Sequence, residues 1–118
     1  MSALRKTIWL LAVALPLAYS QSATKKVSQS EAIAQATQKV QPEYPAMARQ
    51  LKISGAVEVE VVIAENGQVE AVNPVSGNPV LTKPAADAMK KWKFKPFQQD
   101  GAAVKAAAIF KFNFSNNN

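Results

Sequence analysis

The chain has 118 residues, 14 of them basic and 8 acidic, a net charge of +6, with neither cysteine nor histidine. That length holds one apolar core and not two, and without cysteine no disulfide can staple it, so the core alone must hold the fold. Without histidine the usual general base at neutral pH and the commonest metal ligand are both missing. No nucleophile–base pair, phosphate-cradling glycine loop or metal-ligand spacing stands elsewhere in the sequence, so neither enzyme chemistry nor a cofactor is expected.

The first residues, "MSALRKTIWLLAVALPLAYSQSA", run from a basic start (Arg5, Lys6) through an apolar stretch over 8–18 to the small residues Ala18 and Ser20, the pattern of a secretory signal. The apolar run is shorter than the ~20 residues a membrane span needs, and Pro16 interrupts it. The pattern predicts a cleaved signal peptide over 1–20 and hence export across the membrane; the alternative is a retained anchor. Removing Arg5 and Lys6 takes two from the 14 basic residues and none from the 8 acidic ones, which leaves +4. That is a mild charge, and an exported chain has little access to intracellular nucleic acid. Residues 21–40 are polar and alanine-rich. Ile33, Thr37 and Val40 lie at helical spacing, but the apolar content is thin, so a polar tether or a frayed helix is expected.

The composition changes at Pro42, and dense periodic apolar residues place a domain over 41–115, with 116–118 as a polar tail. In "PEYPAMARQLKISG" Pro45 suits a first helical position, residues 46–51 form a short helix, Ser54-Gly55 can end it, and Tyr44, Ala48 and Leu51 share its inner side. In "GAVEVEVVIAENGQVEAVNPV" Val57, Val59, Val61 and Ile63 alternate with Glu58 and Glu60, the period of a half-buried strand. Asn66-Gly67 marks a hairpin. A three-residue loop with a left-handed Gly67 sets Ile63 opposite Val69 and Val61 opposite Ala71, which keeps apolar with apolar. Val72 and Val75 break the alternation, so irregular backbone is expected at Asn73-Pro74. "SGNPVLTKPAADAMKKWKF" reads as a helix with Thr82 as N-cap, Pro84 in its first turn, Asp87 near its start and Lys90, Lys91 and Lys93 at its end, where charge complements the dipole. Asp100-Gly101 makes a turn. A last strand begins at Val104 and alternates to Phe114.

The order helix, strand, strand, helix, strand predicts an α+β domain. Its sheet is three-stranded and antiparallel in the order second, first, third, with two helices packed on one face, the last strand a free edge, and Glu58 and Glu60 within reach of Lys105 or Lys111.

Two readings compete for "KKWKFKPF", residues 90–97. Trp92 falls three residues after Met89, so it and Phe94 can face the sheet while the lysines face water. The rival is a basic surface that binds an anionic polymer or nucleic acid through Lys90, Lys91, Lys93 and Lys95, which requires Trp92 or Phe94 open to solvent. A third reading is a homodimer formed through the free edge.

The run "QPEYPAMARQLKISGAVEVEVVIAENGQV", the "SGNPVL" that follows, the alanine-rich helix ending in "KKWKFKPF" and the phenylalanine-rich last strand together resemble the C-terminal domain of TonB, the periplasmic energy transducer. The resemblance covers 41–114. It implies a binding module that captures the TonB box, a short extended segment at the N-terminus of outer-membrane receptors, by pairing it with the last strand. Such strand addition draws on backbone hydrogen bonds. The partner-binding residues it implies are Gln41, the glutamine of the motif, and Val104, Lys105, Ala106, Ala107, Ala108, Ile109, Phe110, Lys111 and Phe112. Tyr44 and Trp92 belong to the scaffold. Full transducers of that family carry a membrane-spanning helix with a functional histidine that meets an inner-membrane motor, then a long proline-rich spacer. This sequence has no histidine, and its tether would reach only about 70 Å fully extended, so contact with motor proteins falls to another chain.

Overall fold

The structure is a computed structural model that describes residues 24–115; the expected signal peptide and tail lie outside the described residues. Its centre is strand β3 (Gly55–Ile63), followed by β4 (Val69–Ser76), helix α3 (Pro79–Met89) and the last strand, β8 (Ala106–Phe114). Ahead of β3 come β1 (Lys25–Lys26), α1 (Gln29–Gln35), β2 (Ala36–Gln38) and α2 (Ala46–Gln50). Between α3 and β8 lie the short strands β5 (Lys93–Phe94), β6 (Phe97–Gln99) and β7 (Ala102–Val104).

The main sheet has four strands, not three, in the order β1-β8-β3-β4. β3 lies between β4 and β8, antiparallel to both, and β1 is added outside β8 in parallel. Among the described residues there are three helices, not two. Val57, Val59, Val61 and Ile63 of β3 are fully buried, as are Ala106 and Phe110 of β8, and the two sets face each other in register: Val59 opposite Phe110, Ile63 opposite Ala106. Each such valine or isoleucine contributes about 1.5–3 kcal/mol over an exposed position. The half-exposed ion pair of Lys105 with Glu70, at 3.1 Å, belongs to a class worth about 1 kcal/mol at most. The alternating apolar face therefore decides the fold, and the charges follow it. Glu58 is the register partner of Lys111, but its carboxylate accepts a hydrogen bond from the Ser76 hydroxyl, and Lys105 finds Glu70 rather than a glutamate of β3.

The hairpin closes as its sequence expects. The Ala64 amide donates to the Gln68 carbonyl at 2.8 Å and the Gly67 amide to the Ala64 carbonyl at 2.9 Å, Gly67 is left-handed at φ +89, and Ile63 stands opposite Val69. One step further in, a register shift puts Val61 opposite Val72 instead of Ala71; a second shift follows at Pro74, where irregular backbone is expected. Pro74, lacking an N–H, and the bulge together blunt this edge of the sheet. Gly67 has a second role. A Cβ there would meet the Phe94 carbonyl oxygen at 1.9 Å, because the hairpin tip docks on β5, the Phe94 amide donating to the Gly67 carbonyl. Gly67→Ala meets both the left-handed strain and this clash, and a loss of about 2 kcal/mol or more is expected in urea denaturation.

Three local readings are corrected. Helix α3 is capped by Asn78, whose side chain accepts from the Val80 amide, with Pro79 at the first helical position and Pro84 inside the helix. Asn78 outcompetes Thr82 because left-handed Gly77 turns the chain immediately before it. Leu51 is exposed at 64%: Lys52 adopts φ +58, its amide bonds the Arg49 carbonyl and the Ile53 amide the Ala48 carbonyl, a Schellman ending. That turn swings Ile53, not Leu51, against the core. Val104 lies outside the last strand. Asp100 and Gly101 both have positive φ and close a tight hairpin that pairs Val104 with Phe97.

Segment 24–40 is not a tether. Ser28 caps α1 in a reciprocal capping box with Glu31, Ala32 is fully buried, and β2 pairs with β5. The Trp92 indole N–H donates to the Val40 carbonyl at 2.8 Å, and the Lys95 amide to the Gln35 carbonyl at 2.8 Å. This segment covers the aromatic run: Trp92, Phe94 and Phe97 are at most 7% exposed, with Trp92 edge-on to Phe110 at 5.4 Å between centroids. Lys90, Lys91, Lys93 and Lys95 face water. The stacking surface thus lacks its aromatic platform, and the lysines are the solvated side of a buried cluster.

Candidate partner-binding edge

Along a strand, the N–H and C=O of one residue point to the same neighbour and those of the next to the other. In β8 the Ala107 carbonyl accepts from the Val27 amide at 3.0 Å, and the Lys111 amide donates to the Gln29 side chain at 3.2 Å. Since β8 runs against β3 without a register shift from Ala106 to Phe114, the odd-numbered residues Ala107, Ile109, Lys111 and Asn113 direct their backbone outward. Ala106, Ala108, Phe110 and Phe112 direct theirs at β3. The partner-binding set drawn from the resemblance thus divides in two. Ala107, Ile109 and Lys111 offer backbone at the outer edge, and Ala106, Ala108 and Phe110 are core positions whose side chains are buried. Lys105 precedes β8, its carbonyl accepting from the Lys25 amide at 2.8 Å.

Gln41 is exposed and comes to the far end of β8. There it lines a groove of about 320 Å³ with Pro42, Tyr44, Phe112, Asn113 and Phe114. Tyr44 fixes this end: its hydroxyl donates to the Ile53 carbonyl at 2.7 Å, its ring meets Phe114 edge-on at 5.6 Å, and Arg49 lies over its face at 5.1 Å. The structure therefore joins Gln41 to Phe112 at one end of the edge, and removes Val104 from it. Sequence reasoning missed Lys25, Val27 and Gln29, which lie along the same edge. The only signal was a lone valine among polar residues, which by composition reads as linker. Among the described residues no group of three or more acidic side chains gathers as a metal would require, and no helix is long and apolar enough to cross a membrane.

The family model for the C-terminal domain of the Gram-negative bacterial TonB protein matches residues 40–115. The chain belongs to the TonB C-terminal family. It is 32% identical over 101 residues to protein TonB of Salmonella typhimurium, across 83% of this chain and 41% of that protein. It is 35% identical over 91 residues to protein TonB of Vibrio cholerae, across 75% and 37%. It therefore spans less than half the length of these TonB proteins. Its fold is similar to the solution structure of the Pseudomonas aeruginosa TonB C-terminal domain, with a TM-score of 0.61 and 26% identity, covering 80% of this chain and 95% of that one. The TonB proteins of this family are transport energy transducers and not enzymes.

Proposed function

We propose that this chain is a periplasmic TonB-type coupling domain that captures the TonB box of outer-membrane receptors, in energy-coupled transport, by adding it as a strand to the outer edge of β8. One observation carries the reading: this edge already accepts an extended segment, since β1 pairs with it residue for residue at Ala106 and Ala107. Backbone pairing of this kind demands little side-chain identity and lets one domain serve several receptors. In this reading Ala107, Ile109 and Lys111 supply the pairing backbone, and Gln41 with Phe112 receives one end of the incoming segment.

The test is retention of receptors from a detergent-solubilised outer-membrane extract on immobilised protein, followed by titration of the receptor's box peptide at two salt concentrations. Strand addition predicts a change of less than about threefold between roughly 50 and 200 mM salt, because backbone pairing neutralises no phosphates. An anion-binding surface on the four lysines from Lys90 to Lys95 would lose about a hundredfold over the same range. A steep loss, abolished by changing those lysines to alanine, would overturn the proposal.

A further inference from the structure

The edge proposed to take a receptor strand is covered along part of its length by the protein's own chain. The Lys25 amide donates to the Lys105 carbonyl and the Val27 amide to the Ala107 carbonyl. Gln29 then continues the pairing with its side chain. Its Oε1 accepts from the Lys111 amide at 3.2 Å, and its Nε2 donates to the Lys111 carbonyl at 3.4 Å, so the carboxamide occupies the place of a strand peptide group. Val27 is buried at 8% exposure and belongs to the core cluster. We infer that residues 24–27, together with the Gln29 carboxamide, form a displaceable cover on β8, which an incoming strand must remove, placing an apolar side chain in the site Val27 vacates.

Three features suit the cover to release. It pairs with only two register positions of a nine-residue strand. It does not sit flush, since a crevice of about 150 Å³ runs beside it, lined by Lys26, Val27, Ala107 and Ile109, and such gaps forfeit packing contacts. Its hinge is already built: the capping box at Ser28 satisfies the start of α1 independently of the strand, and buried Ala32 anchors that helix, so residues 24–27 can swing away while α1 stays. The far end of the edge opens onto the groove at Gln41 and Phe112. A strand can begin there, displace the Gln29 carboxamide from Lys111, and advance towards Ala107. While closed, the cover makes Lys25 and Lys26 the sheet's outermost strand, and lysine on an edge discourages pairing between copies.

This inference rests on the proposed function, and one experiment separates the two. The full chain is prepared as wild type, as Val27→Pro with Gln29→Ala, which removes one backbone donor and the carboxamide, and as Lys26→Cys with Ala107→Cys. The last pair are register partners within disulfide reach, in a chain with no other cysteine. The probe is a fluorescein-labelled hexapeptide of alternating threonine and valine, followed by polarisation and by the Lys111 amide resonance. A cover closed about nine-tenths of the time implies that opening it raises the apparent affinity about tenfold. The oxidised cysteine form should lose binding and recover it on reduction. If the oxidised form, melting no lower than the reduced one, binds equally well, the cover is not in the way and the inference fails while the edge reading stands. Binding that leaves the Lys111 resonance unmoved, or no binding by any form, overturns the edge reading and the inference with it. Should the proline variant fail to fold, the oxidised and reduced pair still decide.

Discussion

Trp92→Ala is expected to cost about 3–5 kcal/mol of unfolding free energy in urea denaturation, the range for emptying a large buried aromatic site. That is a large share of the 5–15 kcal/mol typical of a domain. Trp92 is 7% exposed, stacks on Phe94 at 5.9 Å and meets Phe110 edge-on, and its indole N–H holds the Val40 carbonyl. Alanine opens a cavity between the β5 segment and β8 and leaves that carbonyl without its donor. Trp92→Phe keeps most of the ring and should cost far less, about 1–3 kcal/mol for the lost hydrogen bond and the volume change. An alanine variant that melted like wild type would place the indole in solvent and revive the lysine-flanked stacking surface.

Two neighbouring proline substitutions separate the faces of β8. Ala106 is fully buried and directs its N–H at β3, opposite Ile63. Ala106→Pro removes a ladder bond and should cost about 3 kcal/mol or more, and circular dichroism should show a protein melting far below wild type. The Ala107 N–H points outward. Ala107→Pro should fold, because the only partner it loses is the two-residue β1, yet fail to bind a receptor-box peptide, whose path the ring blocks. Equal stability of the two variants would mean that β8 does not alternate as described. A stable Ala107→Pro protein with wild-type affinity would move the partner off this edge.

Where the sequence spoke clearly, side chains carried the information. The valines of β3 alternate without interruption because one face is buried, and a single residue of slip would expose all four. The hairpin loop was legible because Gly67 and the pairing of Ile63 with Val69 constrain each other. What stayed hidden was written in backbone. Lys25, Val27, Gln35 and Val40 are held by amides and carbonyls, which hydropathy cannot register, and Ala32 fills its place in the core with a single methyl group. The same holds at the proposed binding edge. The run from Ala106 to Phe112 stands out by its periodicity, but the residues that lie against it come from a stretch that composition reads as linker. Val104 was misplaced because alternation continues through Lys105 without a break, and only the two positive φ angles at Asp100 and Gly101 reveal that a second hairpin intervenes.

The parallel contact of β1 with β8 joins residues some eighty positions apart, Lys25 to Ala106, whereas the β3–β4 hairpin closes over five residues, from Ile63 to Val69. Loop-closure entropy makes the local hairpin the early event and the joining of the two chain ends the late one. As the polypeptide emerges, β3 has its first partner long before β8 exists, and residues 24–29 have nothing to pair with until the final strand has been delivered. The nascent domain thus passes through a stage in which β3 lacks its second neighbour, the period when a sheet is most exposed to pairing with other chains. Residues 24–29 can shield the outer side of β8 only after that strand has been synthesised, so the cover on this edge is the last part of the sheet that the chain can complete.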